Sequence, residues 1–248
     1  MPISTSTAST ESLPLIIAGP ILRHCDQQHF TLWFVSAKPL SALSLTLLGA
    51  DFSRRLTGDE VHTIKLGMHA YQYLIHVTAE ALLAADVAVQ YQIYDAEYGD
   101  LFSAVGELCY GEFNSPDVIV KPSITDLLHG SCRQPHHHSD DALVAADTRL
   151  QSLDSVNERP SLLMLSGDQV YVDDVAGPML SAIGQVIELL GLPNEVFTDA
   201  SIHSCADISY EPRDLYKRHL GLLPKTQYSA KTALHDWYVN RAIFTSSS

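Results

Sequence analysis

Basic residues are scarce in this chain: 15 Lys and Arg stand against 29 Asp and Glu, a net charge of −14 at pH 7. That balance opposes non-specific attachment to a nucleic-acid backbone or to an anionic membrane surface. It leaves room for a small phosphorylated substrate, because a bound metal reverses the local field. Cysteine is scarce as well, with Cys25, Cys109, Cys132 and Cys205 far apart and no C-x-x-C pair. This excludes a disulfide framework and a structural zinc site, and leaves each thiol as a small packed group unless its neighbours argue otherwise. No run of 18 consecutive apolar residues exists, so no helical membrane span is expected. The opening residues, MPISTSTASTESLP, lack a basic stretch and an apolar core, and read as a short disordered leader over 1–14. Together these absences point to a cytoplasmic protein.

Hydrophobic residues make up 46% of the chain, enough for a sizeable core. From residue 15 to about 95 they fall in short strand-like runs: LIIAGPILRH, HFTLWFVS, ALSLTLLG, YQYLIHVT and VAVQYQIYD. Their spacing predicts a small all-β sandwich over 15–110. Tyr71, Tyr73, Ile75 and Val77 alternate with more polar neighbours, as in a strand with one buried face. AEALLAADV, 79–87, fits a short helix or a loop. Proline, glycine and asparagine punctuate GEFNSPDVIVKP, and the domain boundary is expected within 96–122.

From 111 to 248 the texture becomes α/β. ITDLLHGSC reads as a strand and SDDALVAADTRLQSL as a helix with Ser139 as N-cap. SLLMLSGD is apolar enough for a strand buried on both faces, and GPMLSAIGQVIELLGL is a helix with Pro178 in its first turn and Gly191 near its end. In such an order ligands gather beyond the C-terminal ends of the strands.

Both strands end alike, in His129-Gly-Ser-Cys132-Arg133 and in Ser166-Gly-Asp168-Gln-Val-Tyr171. A glycine turns the backbone, and a metal-competent side chain follows within two residues. If the strands are neighbours, Cys132 and Asp168 lie side by side. A thiolate, a carboxylate and a phenolate form an anionic set suited to trivalent iron, and binding would displace the Cys and Tyr protons. Arg133 offers a planar fork for a phosphate oxygen, or an ion pair with a nearby Asp. Asp173 and Asp174 fit supporting roles, as orienters of a ligand or as helix-start charges. The triple histidine His136–His138 has the wrong spacing for chelation from one helix face and reads as a solvated loop or a helix start. His203 and Cys205 lie in a polar stretch with no defined geometry.

GSCR followed by LSGDQVYVDD resembles the PhoD-like family, the alkaline phosphatase D branch of the metallophosphoesterases. AGPILRH with FTLWFVS is similar to the start of the Ig-like domain that precedes the catalytic domain there, and YSAKTALHDWYVNRAIFTSS is similar to a segment between the halves of its catalytic site. The resemblance spans 15–248 and implies a mixed fold, an Ig-like all-β sandwich followed by the first part of an αββα domain. It implies Asp168 as a metal-bridging carboxylate, Cys132 and Tyr171 as ligands of Fe(III), and Ca(2+) or another divalent ion as the second metal. The implied reaction is hydrolysis of a phosphomonoester or phosphodiester, with Asp168 and Arg133 in the catalytic set. The family's later ligands, an Asp-Asp-His-Asp-type motif and further histidines, find no counterpart before Ser248. The resemblance therefore implies a fragment, a truncated reading frame, or a site completed by a second chain. The alternative is a catalytically incompetent interaction module.

Overall fold

The computed structural model describes residues 13–106, 108–133, 141–169 and 177–193. The strands are β1 (Ile16–Cys25), β2 (His29–Ser36), β3 (Leu43–Leu48), β4 (Phe52–Arg55), β5 (Val61–Gly67), β6 (Ala70–Thr78), β7 (Ala88–Asp95), β8 (Gly99–Asp100) and β9 (Asp117–Ile119). They form two antiparallel sheets, one ordered β1-β2-β6-β5 and the other β4-β3-β7-β8 with β9 also paired to β7. This is the expected sandwich. Alternation decides which side chains face inward. In the first sheet Phe30, Leu32 and Phe34 stand opposite Val77, Ile75 and Tyr73. In the second, Leu45 and Leu47 stand opposite Ile93 and Tyr91. All of them are buried in one continuous core. Phe34 stacks on Tyr73 at 5.2 Å between ring centroids and meets Phe102 edge-on at 5.6 Å. Phe30 meets Tyr91 across the sheets at 5.3 Å.

A carboxylate sits in this interior. Asp95, at the end of β7, is fully buried. Its Oδ1 accepts from the backbone N–H of Glu97 (2.9 Å) and Tyr98 (3.2 Å), and its Oδ2 from those of Ser41 (3.2 Å) and Ala42 (3.4 Å). The carboxylate thereby ties the segment entering β3 to the turn leaving β7.

Segment 79–87 is a loop, not a helix, and it inserts Leu82 and Leu83 into the core. The sandwich also extends beyond residue 110. Strand β9 pairs with β7, and Val118 and Val120 are core residues, so the first unit reaches Val120, inside the 96–122 interval read from the sequence.

Beyond it come β10 (Leu127–Ser131), α1 (Ala142–Gln151), β11 (Leu162–Ser166) and α2 (Gly177–Leu190). Strands β10 and β11 pair in parallel with α1 between them, a strand–helix–strand crossover. The N-cap of α1 is Asp141, whose side chain accepts from the Leu143 amide at 3.0 Å; the expected cap, Ser139, lies outside the described residues. A second correction concerns β11. Its apolar run reads as buried on both faces, yet every residue of Leu162–Ser166 is exposed, because β10 is its only sheet partner among the described residues.

Two connections fasten this part to the sandwich. Arg159 pairs with the buried carboxylate of Asp117, lies 5.5 Å from the Tyr110 ring centre, and the Lys121 ammonium donates to the Asn157 carbonyl at 2.7 Å. The Tyr110 hydroxyl donates to Asp147 and is pushed up to about 12, by burial first and by that bond second. On the far side, α2 buries Ile183, Ile187 and Leu190, one stripe at helical spacing, with Leu190 against Ala18, Val35 and Ala70 of the first sheet. Its end is a Schellman turn: Leu192 N–H donates to the Ile187 carbonyl (3.0 Å) and Gly191 N–H to that of Glu188 (3.0 Å), with Gly191 at φ +59°. The freed carbonyls of Leu190 and Gly191 accept from the amides of His69 (2.9 Å) and Met68 (3.1 Å) in the β5–β6 turn. No described helix is long and apolar enough to cross a membrane.

Candidate metal centre at the parallel strand ends

The ladder between β10 and β11 is in register from Leu127 opposite Leu162 to Ser131 opposite Ser166. The two strands therefore end at the same level. The pairing continues one step further, since the Cys132 amide donates to the Ser166 carbonyl at 3.2 Å. Cys132 then turns away with φ +53° and Gly167 with φ +67°, both left-handed. Glycine adopts that conformation freely, whereas a residue with a side chain spends roughly 1–2 kcal/mol on it. Strained backbone of this kind clusters at functional positions.

Close packing accompanies the turn. A Cβ built on Gly167 would lie 2.7 Å from Ser131 Oγ and 2.8 Å from Cys132 Sγ. The cysteine sulfur thus rests on the Gly167 backbone, and Asp168 is the next residue. Both Cys132 and Asp168 are exposed. Exposure separates Cys132 from Cys25 and Cys109, which are partly buried and whose thiols burial pushes up. Ser131 Oγ donates to Cys132 Sγ at 3.4 Å, and Gln169 Nε2 donates to the carbonyls of Ser166 (2.9 Å) and Gly167 (3.3 Å), bracing the second turn.

His129 contributes a contact that the motif alone does not announce. Its Nε2 lies 2.7 Å from Ser166 Oγ, bridging the two strands just before their ends. The signal was its place in HGSCR, two residues before Ser131 on the same strand face. Arg133 realises the ion pair: Nε and Nη2 reach Asp141 Oδ2 at 3.2 and 2.6 Å, and Nε reaches Oδ1 at 3.1 Å. The guanidinium holds the Asp141 carboxyl below the usual carboxylate range. Tyr171, Asp173, Asp174, His136–His138, His203 and Cys205 lie outside the described residues.

Gly167→Ala should prise the strand ends apart, because the new methyl collides with Ser131 and Cys132. At about 1–2 kcal/mol for the left-handed conformation alone, local opening should rise roughly five- to thirty-fold. Hydrogen exchange of the Cys132 amide reads this, and unchanged protection would refute the close packing. Compared with known families, with curated proteins and with solved structures, the chain matches none of them.

Proposed function

We propose that this chain carries half of a PhoD-like metallophosphoesterase site, with an Ig-like sandwich supporting the first part of an αββα catalytic domain. The observation that carries the reading is the paired strand ends: Cys132 Sγ rests on Gly167, and Asp168 follows directly. Two parallel strands that end together deliver donors from different parts of the chain to one edge, where α/β sheets bind ligands. The donor chemistry fits a hard trivalent ion beside an oxygen-seeking divalent one, since a thiolate and a carboxylate are both anionic.

In this reading Cys132, Asp168 and Tyr171 would hold Fe(III), and Asp168 would also serve Ca(2+) or another divalent ion. Bound there, the two ions would act as Lewis acids on a phosphoryl oxygen. The chain's own residues supply the rest. Gln169 fixes the turn that aims Asp168, and the left-handed Cys132 directs its sulfur across to the neighbouring strand. Arg133 provides a cation beside the strand end for a phosphate oxygen, which must compete with Asp141 for the fork. Because the chain as a whole is acidic, attraction of the substrate is local to these groups.

A second reading, an interaction module without catalysis, is favoured by the open apolar sheet. Leu162, Leu163, Met164 and Leu165 are all exposed. One measurement separates the two. Iron and calcium are quantified by mass spectrometry in the parent chain and in Cys132→Ala and Asp168→Asn, alongside hydrolysis of p-nitrophenyl phosphate and its bis ester. The enzyme reading expects iron content to fall at least tenfold in both variants, about the loss that even a supporting residue causes. Iron content equal to the parent's in both variants would sink it and leave the interaction module.

A further inference from the structure

A second donor cluster lies on the sandwich, in the tight connection between β1 and β2. The ring nitrogens of His24 and His29 and the carboxylate of Asp26 all lie within 4.8 Å of one another. The hairpin makes this meeting: Cys25 stands opposite Phe30 and His24 opposite Thr31, so Asp26, Gln27 and Gln28 form the bend.

The two oxygens of Asp26 have different surroundings. Oδ1 accepts from the backbone N–H of Gln28 at 2.8 Å and of His29 at 2.7 Å, which fixes the carboxylate in place, and it also lies 2.9 Å from His29 Nδ1. Oδ2 faces both imidazoles, with His24 Nε2 and His29 Nδ1 each at 3.0 Å. One oxygen thus forms the vertex between two ring nitrogens from different strands. A divalent ion about 2.0–2.1 Å from each donor needs donor separations of roughly 3–4 Å. Two edges already meet this, and the third closes by rotation of the His24 ring, whose side chain is 59% exposed.

We propose that His24, Asp26 and His29 form a binding site for a borderline divalent transition ion, Zn(2+) being the reference case. Two imidazole nitrogens and one carboxylate oxygen suit zinc, nickel or copper and are a poor set for calcium or magnesium, which take oxygen ligands. The ion replaces the ring protons that now point at Asp26. His29 is steadied from behind by His76, stacked at 5.9 Å, and His76 is itself occupied through Nδ1 with Thr31 Oγ1 at 2.8 Å. Cys25, between the ligands in sequence, packs against the core and is not part of the set. The three side chains are partly exposed, at 59%, 45% and 35%, so the remaining coordination positions face solvent.

The test uses the full chain carrying Cys132→Ala and Asp168→Asn, so that the strand-end donors are absent and failure of one site is read apart from the other. Zn(2+) is titrated by calorimetry while the imidazole nitrogens are followed by long-range 15N–1H NMR. The His24 and His29 resonances should shift at one equivalent of zinc, with His76 unmoved. His24→Ala, a change at the most exposed of the three, should weaken that event by at least about tenfold, the lower end of what loss of a mere supporting partner costs. Asp26→Asn should weaken it likewise. His24 and His29 resonances that stay put at one equivalent overturn the proposal. So does zinc affinity equal in the His24→Ala chain, with any shifts confined to other histidines.

Discussion

Phe34→Ala should lower the unfolding free energy by about 3–5 kcal/mol, the range for removing a large aromatic from a core. Phe34 is fully buried in the C-terminal half of β2, where it stacks on Tyr73 and takes the edge of Phe102. Tyr73 belongs to the neighbouring strand β6 and Phe102 to the segment after β8, so no single movement can collapse the space. The ring contacts add to the area term, since aromatic pairs of this geometry contribute beyond burial alone. Urea denaturation followed by far-ultraviolet circular dichroism measures the loss. A change below 1 kcal/mol would mean that the two sheets do not share this core.

Asp95→Ala should cost about 2–3 kcal/mol, on the scale of hydrogen bonds to a charged group and of donors left unmade. Four backbone amides converge on the buried carboxylate, two on each oxygen. Asn at this position keeps one accepting oxygen, while its NH2 group faces two amides that also donate. Asp95→Asn should therefore recover less than half of the loss. Equal stability of the Asn variant and the parent, in the same denaturation experiment, would show that charge and double acceptance do not matter here.

The parts of this fold that were legible in the sequence are those with one buried face. β2, β6 and β7 alternate over most of their length, and Tyr73, Ile75 and Val77 point inward as read, with Tyr71 only half-buried. β4 and β5 escaped because they are border strands: FSRR and VHTIKLG bury almost nothing, so no period of two is written into them. The run LLMLS fixed a strand but misled about its cover, since continuous apolarity records composition and not what packs on each side. SDD at 139–141 offers three capping residues in a row, and the ion pair with Arg133 is what distinguishes Asp141. At the strand ends the two glycine-containing turns pointed to Cys132 and Asp168 as neighbours if the strands pair, and the parallel pairing brings Cys132 against Gly167, the residue before Asp168. The left-handed Cys132 was not legible, because nothing in the residue type forbids the ordinary conformation. Nor was the trio at His24, Asp26 and His29, whose uneven spacing becomes a cluster only once the hairpin closes.

The Schellman turn at the end of α2 lends its two freed carbonyls to a hairpin more than 120 residues earlier in the chain. The Met68 and His69 amides have these acceptors only while the helix is seated. In exchange with deuterated solvent, their protection is set by how often α2 lifts from the sheet, whereas amides within the β2–β6 ladder answer to the opening of the sandwich itself. Two adjacent backbone protons thus serve as a clock for the detachment of the second half of the molecule from the first.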